Sequence, residues 1–345
     1  MVTIMKETKK VLLGLSGGVD SASSAILLKE NGYEVVGYYF DILGNKKEYD
    51  DVLKLSEHLG IDLIYEDVSS DFKNIVINNF ISEYKNGRTP NPCIICNPTI
   101  KFKKLIENAD KLGIQNIATG HYAKTKEYLG HYYIEKSDNN LKDQSYMLYR
   151  LPESIIKRII FPLGEFSTKD EVRILARNNS LENAEKRDSQ EICFTDDYKE
   201  FIVSSGVKKE SGNFVDRDGR VLGQHNGIIN YTIGQRKGLG IALGKPAFVI
   251  DINSEKNEVI IGDNDELFSN EVRSIDNFII DEELLLNSSD ITAKIRYSQS
   301  DSKCKVTREG MELITTFELP QRASTKGQSI VFYYDGLVVG GGFIK

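Results

Sequence analysis

The chain has 345 residues, 40% of them hydrophobic and 28% charged, which is enough apolar material for two or three ordinary globular domains. Lys and Arg number 44 against 51 Asp and Glu, a net charge of -7, so the global field does not hold the chain to nucleic acid and any RNA site must be a local basic patch. No apolar run reaches the roughly 18 residues of a membrane span, the start Met1–Lys6 lacks the apolar core of a signal peptide, and 4 cysteines are too few for a disulfide scaffold; the expected setting is the cytoplasm, without a membrane.

The first half alternates short apolar runs with amphipathic stretches. Val11 to Leu15 reads as a buried strand, Ala22 to Glu30 as a helix ending at Asn31-Gly32, and Tyr33 to Phe40 as the next strand. Val52, Leu55 and Leu59 share a helical face that Gly60 terminates, and Ile61 to Tyr65 is again a strand. Phe72 to Tyr84 and Lys101 to Leu112 have helical patterns, and Ile114 to Thr119 closes the series as a strand. This alternation predicts an α/β domain with a doubly wound parallel sheet. Past residue 200, glycines punctuate short runs and predict a small loop-rich domain. From Ser274 onward period-two strands dominate, Thr292 to Tyr297 among them, and Asp335-Gly336 between two apolar runs predicts a hairpin. The expected division is 1–203, 204–271 and 272–345, the last an antiparallel β-barrel.

Ser16-Gly17-Gly18-Val19-Asp20-Ser21 falls between the first strand and the first helix. Glycines let the backbone approach a ligand, and the helix N-terminus favours an anion. Ser16 and Ser21 add hydroxyls, and Asp20 is a candidate Mg²⁺ ligand. Neither a Walker A lysine nor a G-x-G-x-x-G fingerprint stands here. The segment resembles the PP-loop of the ATP pyrophosphatases, which split ATP between the α and β phosphates.

Thr89-Pro90-Asn91-Pro92-Cys93-Ile94-Ile95-Cys96-Asn97 reads as a proline-stiffened, exposed loop carrying two thiols before the basic run Lys101, Lys103 and Lys104. A third, Cys193, lies in Ser189-Gln190-Glu191-Ile192-Cys193-Phe194 after Lys186 and Arg187; Cys304 reads as structural. No second cysteine or histidine pair completes a zinc site.

Together with Gly120-His121-Tyr122 and Lys142-Asp143-Gln144, these motifs resemble the tRNA-specific 2-thiouridylase family along the whole chain. The resemblance implies ATP-dependent thiolation of C2 of the wobble uridine in the tRNAs for Lys, Glu and Gln, through an adenylylated base, with sulfur from a cysteine desulfurase or relay protein. It implies Cys96 as nucleophile and Cys193 as persulfide carrier. Gly14, Leu15, Ser16, Gly17, Gly18, Val19, Asp20, Ser21, Phe40 and Gly120 would line the ATP site. Asn91, Pro92 and Cys93 match the segment at the target base; Lys142, Asp143, Gln144, Arg296 and Tyr297 match tRNA contacts; His121 and Gln328 match positions that discriminate the tRNA. A local cationic face would draw on Lys101, Lys103, Lys104, Lys142, Arg150, Lys157 and Arg158. Cys93 departs from the family's Asp. It raises the alternative that Cys93, Cys96 and Cys193 hold a [4Fe–4S] cluster presenting sulfide, since three thiolates are soft ligands. Two other functions compete: a PP-loop ligase acting on a small molecule, and a non-catalytic tRNA-binding or sulfur-carrier protein.

Overall fold

The computed structural model describes residues 9–185, 192–241 and 243–345, so Lys186, Arg187 and Ser189 to Glu191 lie outside the described residues. The chain packs as two compact units, the first formed by Met1–Ile75, Ile94–Phe194 and Gly336–Val338, the second by Val76–Cys93, Thr195–Asp335 and Val339–Lys345. Among the described residues no helix is long and apolar enough to cross a membrane.

The first unit is built on five parallel strands: β1 (Lys9–Gly14), β2 (Tyr33–Asp41), β3 (Asp62–Asp67), β4 (Asn116–Thr119) and, after an antiparallel hairpin of β5 (Lys124–Tyr128) and β6 (His131–Glu135), the short β7 (Ile159–Ile160). Their order is β3-β2-β1-β4-β7, so the winding reverses between β1 and β4. In doubly wound sheets ligands bind beyond the carboxyl ends of the strands at that reversal. Helix α1 (Val19–Glu30) buries Val19, Ala22, Ala25, Ile26 and Leu28 against the sheet, and α2 (Tyr49–Leu59) ends where Gly60 turns left-handed at φ 61°. The doubly wound expectation is met. The hairpin β5–β6 is an addition that period-two alternation over so few residues did not reveal.

The proline-rich segment corrects the sequence reading. It forms no loop at Cys93 and Cys96: a helix begins at Pro92, with both thiols in its Pro92–Cys96 turn. The Asn91 side chain accepts the Cys93 N–H at 3.1 Å, an N-cap, and Pro92 takes the first helical position, where its fixed φ fits and its missing N–H is no loss. Pro98 is inside the continuing helix and cannot donate to the carbonyl four residues back. The backbone widens into a π turn over Asn97–Lys101 before α-helix resumes at Phe102–Lys111.

The second unit holds a four-stranded sheet and a barrel. The sheet, ordered β10-β11-β8-β9, joins β8 (Gly212–Val215), β9 (Val221–His225), β10 (Phe248–Asn253) and β11 (Glu258–Gly262) through one parallel pairing, β8 with β11. This region is more regular than the glycine-punctuated sequence suggested. Six further strands close a barrel in the order β12-β15-β14-β13-β16-β17: β12 (Phe268–Ile279), β13 (Ile291–Lys294), β14 (Ser302–Glu309), β15 (Glu312–Arg322), β16 (Ser329–Tyr334) and β17 (Leu337–Ile344), with β12 pairing β17 at the seam. Asp335 and Gly336 both take positive φ, as the hairpin signal required. The strand expected over Thr292 to Tyr297 stops at Lys294, because Ile295 to Gln299 turn away. Cys304 is buried in the barrel core, and burial pushes its thiol up to about 12, consistent with a structural role.

Candidate active site at the sheet reversal

Loop 15–18 leaves β1 and enters α1 with Gly17 at φ 77°. Gly18 is the N-cap of α1 and offers no side chain, so no side-chain cap satisfies the first-turn N–H groups. An anion is the natural partner of such a terminus in a twelve-residue helix. The Ser21 hydroxyl donates to Gly18 O at 3.0 Å and accepts the Ser16 N–H at 3.2 Å, which ties the loop to its helix. Leu15 and Val19 are buried and contribute backbone only.

The loop is walled by residues from other strands. Gly14 faces Thr119 and Phe40, whose ring atom would lie 3.8 Å from a Cβ added there. Gly120 lies against the Asp20–Ser21 peptide: a Cβ on it would sit 2.9 Å from both Asp20 C and Ser21 N. Gly120→Ala must therefore displace backbone. The expected result is a stability loss of about 1–3 kcal/mol with ATP affinity reduced about tenfold or more, read by urea unfolding and calorimetric titration of ATP. Unchanged ATP binding would remove Gly120 from the site.

Asp20 is held by partners from two other segments. Lys169 Nζ donates to both of its carboxylate oxygens at 2.6 Å, and Tyr122 OH donates to one at 2.9 Å. These bonds tie Asp20 to the start of helix Lys169–Asn178 and to Tyr122 and leave a lone pair for a further partner. Sequence reading missed Lys169 because it stands 149 residues from its partner. The available signal was a lysine at the first position of helix Lys169–Asn178, where the helix dipole disfavours a cation. Asn183 was missed likewise; its amide donates to Gly17 O at 3.0 Å.

From Gly120 the contacts lead to the thiol helix. His121 Nδ1 is 2.8 Å from Thr119 Oγ1 and Nε2 is 3.3 Å from Lys101 Nζ. An ammonium only donates, so Nε2 accepts and Nδ1 carries the proton. Burial, with the Lys101 charge second, holds the imidazole well below its ordinary range, so it is neutral. Lys101 lies five residues beyond Cys96 on the same helical run, about 7 Å along the axis. Asn97, next to Cys96, donates its amide to Met147 O at 2.9 Å and fixes the run from the other side. The phosphate loop and Cys96 thus belong to one unit and are joined through Ser21, Gly120, His121 and Lys101.

The remaining candidates divide by what their side chains do. Cys96 is buried, Cys93 half-buried and Cys193 exposed, with the neighbouring Phe194 ring against Phe72 at 5.7 Å. Among the described residues no three His, Cys, Asp or Glu side chains gather as a metal-binding group. Asp143 is buried and organises its own loop, accepting Ser137 N–H at 3.0 Å and the Ser145 hydroxyl at 2.7 Å. Gln144 accepts the Tyr122 N–H at 2.9 Å, and Lys142 beside them is half-exposed. Lys104 is paired with Glu66 and Asp71, and Arg158 with Asp110, so neither is open to RNA.

In the second unit, Arg296 donates to Ile233 O at 3.2 Å and Ala323 O at 2.7 Å, and Tyr297 follows it in the turn after β13. Gln328 donates its amide to Thr89 O at 2.7 Å while the Thr89 N–H donates to Lys326 O at 2.9 Å, which holds the stretch leading to Asn91, Pro92 and Cys93.

Comparison with known proteins agrees with these motifs. Family profiles described as a tRNA methyl transferase HUP domain, a tRNA methyl transferase PRC-barrel domain and an aminomethyltransferase beta-barrel domain match residues 9–197, 199–263 and 271–344. A tRNA-specific 2-thiouridylase MnmA 2 of Clostridium botulinum (strain Hall) is 46% identical over 346 residues, 97% of this chain and 98% of that protein. The chain belongs to the tRNA-specific 2-thiouridylase family. A second member, the MnmA of Clostridium acetobutylicum, is 44% identical over 98% of this chain and 99% of its own length. Among solved structures, the NMN synthetase of Francisella tularensis aligns with a TM-score of 0.36 at 15% identity, over 59% of this chain and 74% of that one. As a 2-thiouridylase family member the chain is a tRNA sulfurtransferase whose residues 9–197 match the HUP-domain profile.

Proposed function

We propose that this protein thiolates C2 of the wobble uridine in the tRNAs for Lys, Glu and Gln at the expense of ATP. The observation that carries the reading is the unbroken set of contacts from Ser21 through Gly120 and His121 to Lys101 on the Cys96 helix. A urea-like carbonyl oxygen is a poor leaving group. Attack of O2 on the α-phosphorus, with pyrophosphate leaving, turns it into AMP, a good one. The uncapped start of α1 and the hydroxyls of Ser16 and Ser21 would hold the phosphates, and Lys169 would balance the charge that collects there.

Sulfur reaches the base as a persulfide on Cys193, loaded by a desulfurase or relay protein. Its exposure suits docking with a donor, whereas the buried Cys96 is sheltered from it. The terminal sulfur attacks C2 and AMP leaves. Cys96 thiolate then attacks the Cys193 sulfur, releasing 2-thiouridine and leaving a Cys96–Cys193 disulfide that a thiol reductant reopens. The wobble base must leave its stack for C2 to be reached. The division 1–203, 204–271 and 272–345 is the proposed domain plan of this cytoplasmic enzyme.

The test is thiolation in vitro of a wobble-uridine tRNA with ATP and a persulfide donor (a cysteine desulfurase with cysteine) plus a thiol reductant, followed by nucleoside mass analysis. The expected product carries sulfur in place of one uridine oxygen, with one pyrophosphate per thiolation. Pyrophosphate release that depends on a small molecule instead of tRNA would replace this reading with a ligase.

A further inference from the structure

We infer that loop 234–240 of the second unit is a seat for a phosphodiester of the tRNA backbone, an inference that rests on the tRNA reading above. The segment Gly234-Gln235-Arg236-Lys237-Gly238-Leu239-Gly240 holds its three glycines at φ 89°, 76° and 72°. Leu239 between the last two is not at positive φ. Alternating handedness of this kind turns successive N–H groups to one side and forms a concavity suited to an anion.

The loop is already shaped before any ligand arrives. Gln235 accepts the Thr232 N–H at 3.1 Å and donates its amide to Lys237 O at 3.0 Å. Gly234 N–H donates to Val249 O at 2.8 Å, and Val249 N–H returns to Gln235 O at 3.0 Å. Arg296 braces it from behind through Ile233 O and Ala323 O. Arg296 thereby acts as a strut at the start of this loop. Arg236 and Lys237 within it are both exposed, and neither makes an ion pair among the described residues. Beside them opens a cavity of about 230 Å³ lined by Arg236, Gly238, Gly240, Leu243 and Lys245, the last sharing its charge with Asp263.

The ligand class follows from charge and shape. On a chain of net charge -7, RNA must be met by local cations, and Lys104, Arg158 and Lys169 are engaged internally. The loop offers cations and N–H donors but no aromatic ring on which a base could stack, and the nearby Tyr231 is buried. It therefore meets the backbone and carries no base information.

The test compares tRNA affinity across a salt series for the wild type, Arg236→Ala/Lys237→Ala and Gly238→Ala. For the double variant, the slope of log affinity against log salt should fall by roughly 1.5, from two lost phosphate contacts, with affinity down about tenfold for tRNAs with and without a wobble uridine alike. Gly238→Ala keeps both charges and should weaken binding through the loop's shape, while ATP affinity without tRNA stays unchanged in all three. A double variant that melts like the wild type and keeps its slope and affinity overturns this inference while leaving the tRNA reading in place. A wild-type protein that fails to bind tRNA overturns both.

Discussion

Lys169→Ala is expected to lower kcat/KM for tRNA-dependent pyrophosphate release by about 10²–10³-fold, with most of the loss in the response to ATP. The substitution does more than delete a cation near phosphate. It leaves the Asp20 carboxylate, one third exposed and held now by two bonds from Lys169, facing the place where the nucleotide's negative charge must collect. Two like charges about 4 Å apart at a protein surface repel by about 4 kcal/mol at an effective dielectric of 20, so the loss has two sources acting in one direction. Stability should change far less, because Lys169 is the first residue of its helix and its own charge opposes the dipole there. Asp20→Asn in the Lys169→Ala background separates the sources: removing the stranded carboxylate should recover part of the activity, and the phosphate-holding part should stay lost. Initial rates over an ATP series, with melting curves as the check on folding, measure this. A Lys169→Ala enzyme with wild-type ATP dependence would show that the pair is only a structural tie.

How far the site could be read from sequence follows from the range of the interactions involved. The phosphate loop was legible because its parts are contiguous: a buried strand, two glycines, serines, and a helix start fall within Val11–Glu30. The strands of the parallel sheet and the Asp335-Gly336 hairpin were legible for the same reason, each being set by a local pattern. Errors arose where a local signal has two meanings. Two prolines at 90 and 92 usually break a helix, yet Pro92 after an Asn cap starts one, and this moved Cys93 and Cys96 from a loop onto a helical turn. Partners far apart in the chain left almost no trace. Lys169 with Asp20, Asn183 with Gly17, Lys101 with His121 and Gln328 with Thr89 are products of the fold, and nothing in the residues themselves names the mate. The charge count erred in the same way: Lys104 and Arg158 looked like a surface for RNA until Glu66, Asp71 and Asp110 were found against them.

Cys96→Ser is expected to abolish release of 2-thiouridine, by about 10³-fold or more, while tRNA-dependent pyrophosphate release in the first turnover stays within a few-fold of wild type. The two halves separate because the phosphate chemistry rests on the start of α1, Gly120 and Lys169, none of which involves the thiol. A serine hydroxyl neither ionises near neutral pH nor attacks a persulfide. The tRNA should therefore accumulate joined through its C2 sulfur to Cys193, AMP having already left, detectable as a protein–tRNA adduct that a thiol reductant releases. Cys93 should behave differently. It is the second residue of its helix, one turn before Cys96 on the same face, with its N–H given to Asn91. Cys93→Ser should consequently keep thiolation with a persulfide donor within about threefold, and Cys93→Asp should do the same, since neither step of the persulfide route uses that sulfur. Equal collapse of Cys93→Ser and Cys96→Ser, with iron and sulfide retained by the anaerobically purified wild type and lost from both, would return the three thiols to a common role and displace the persulfide route.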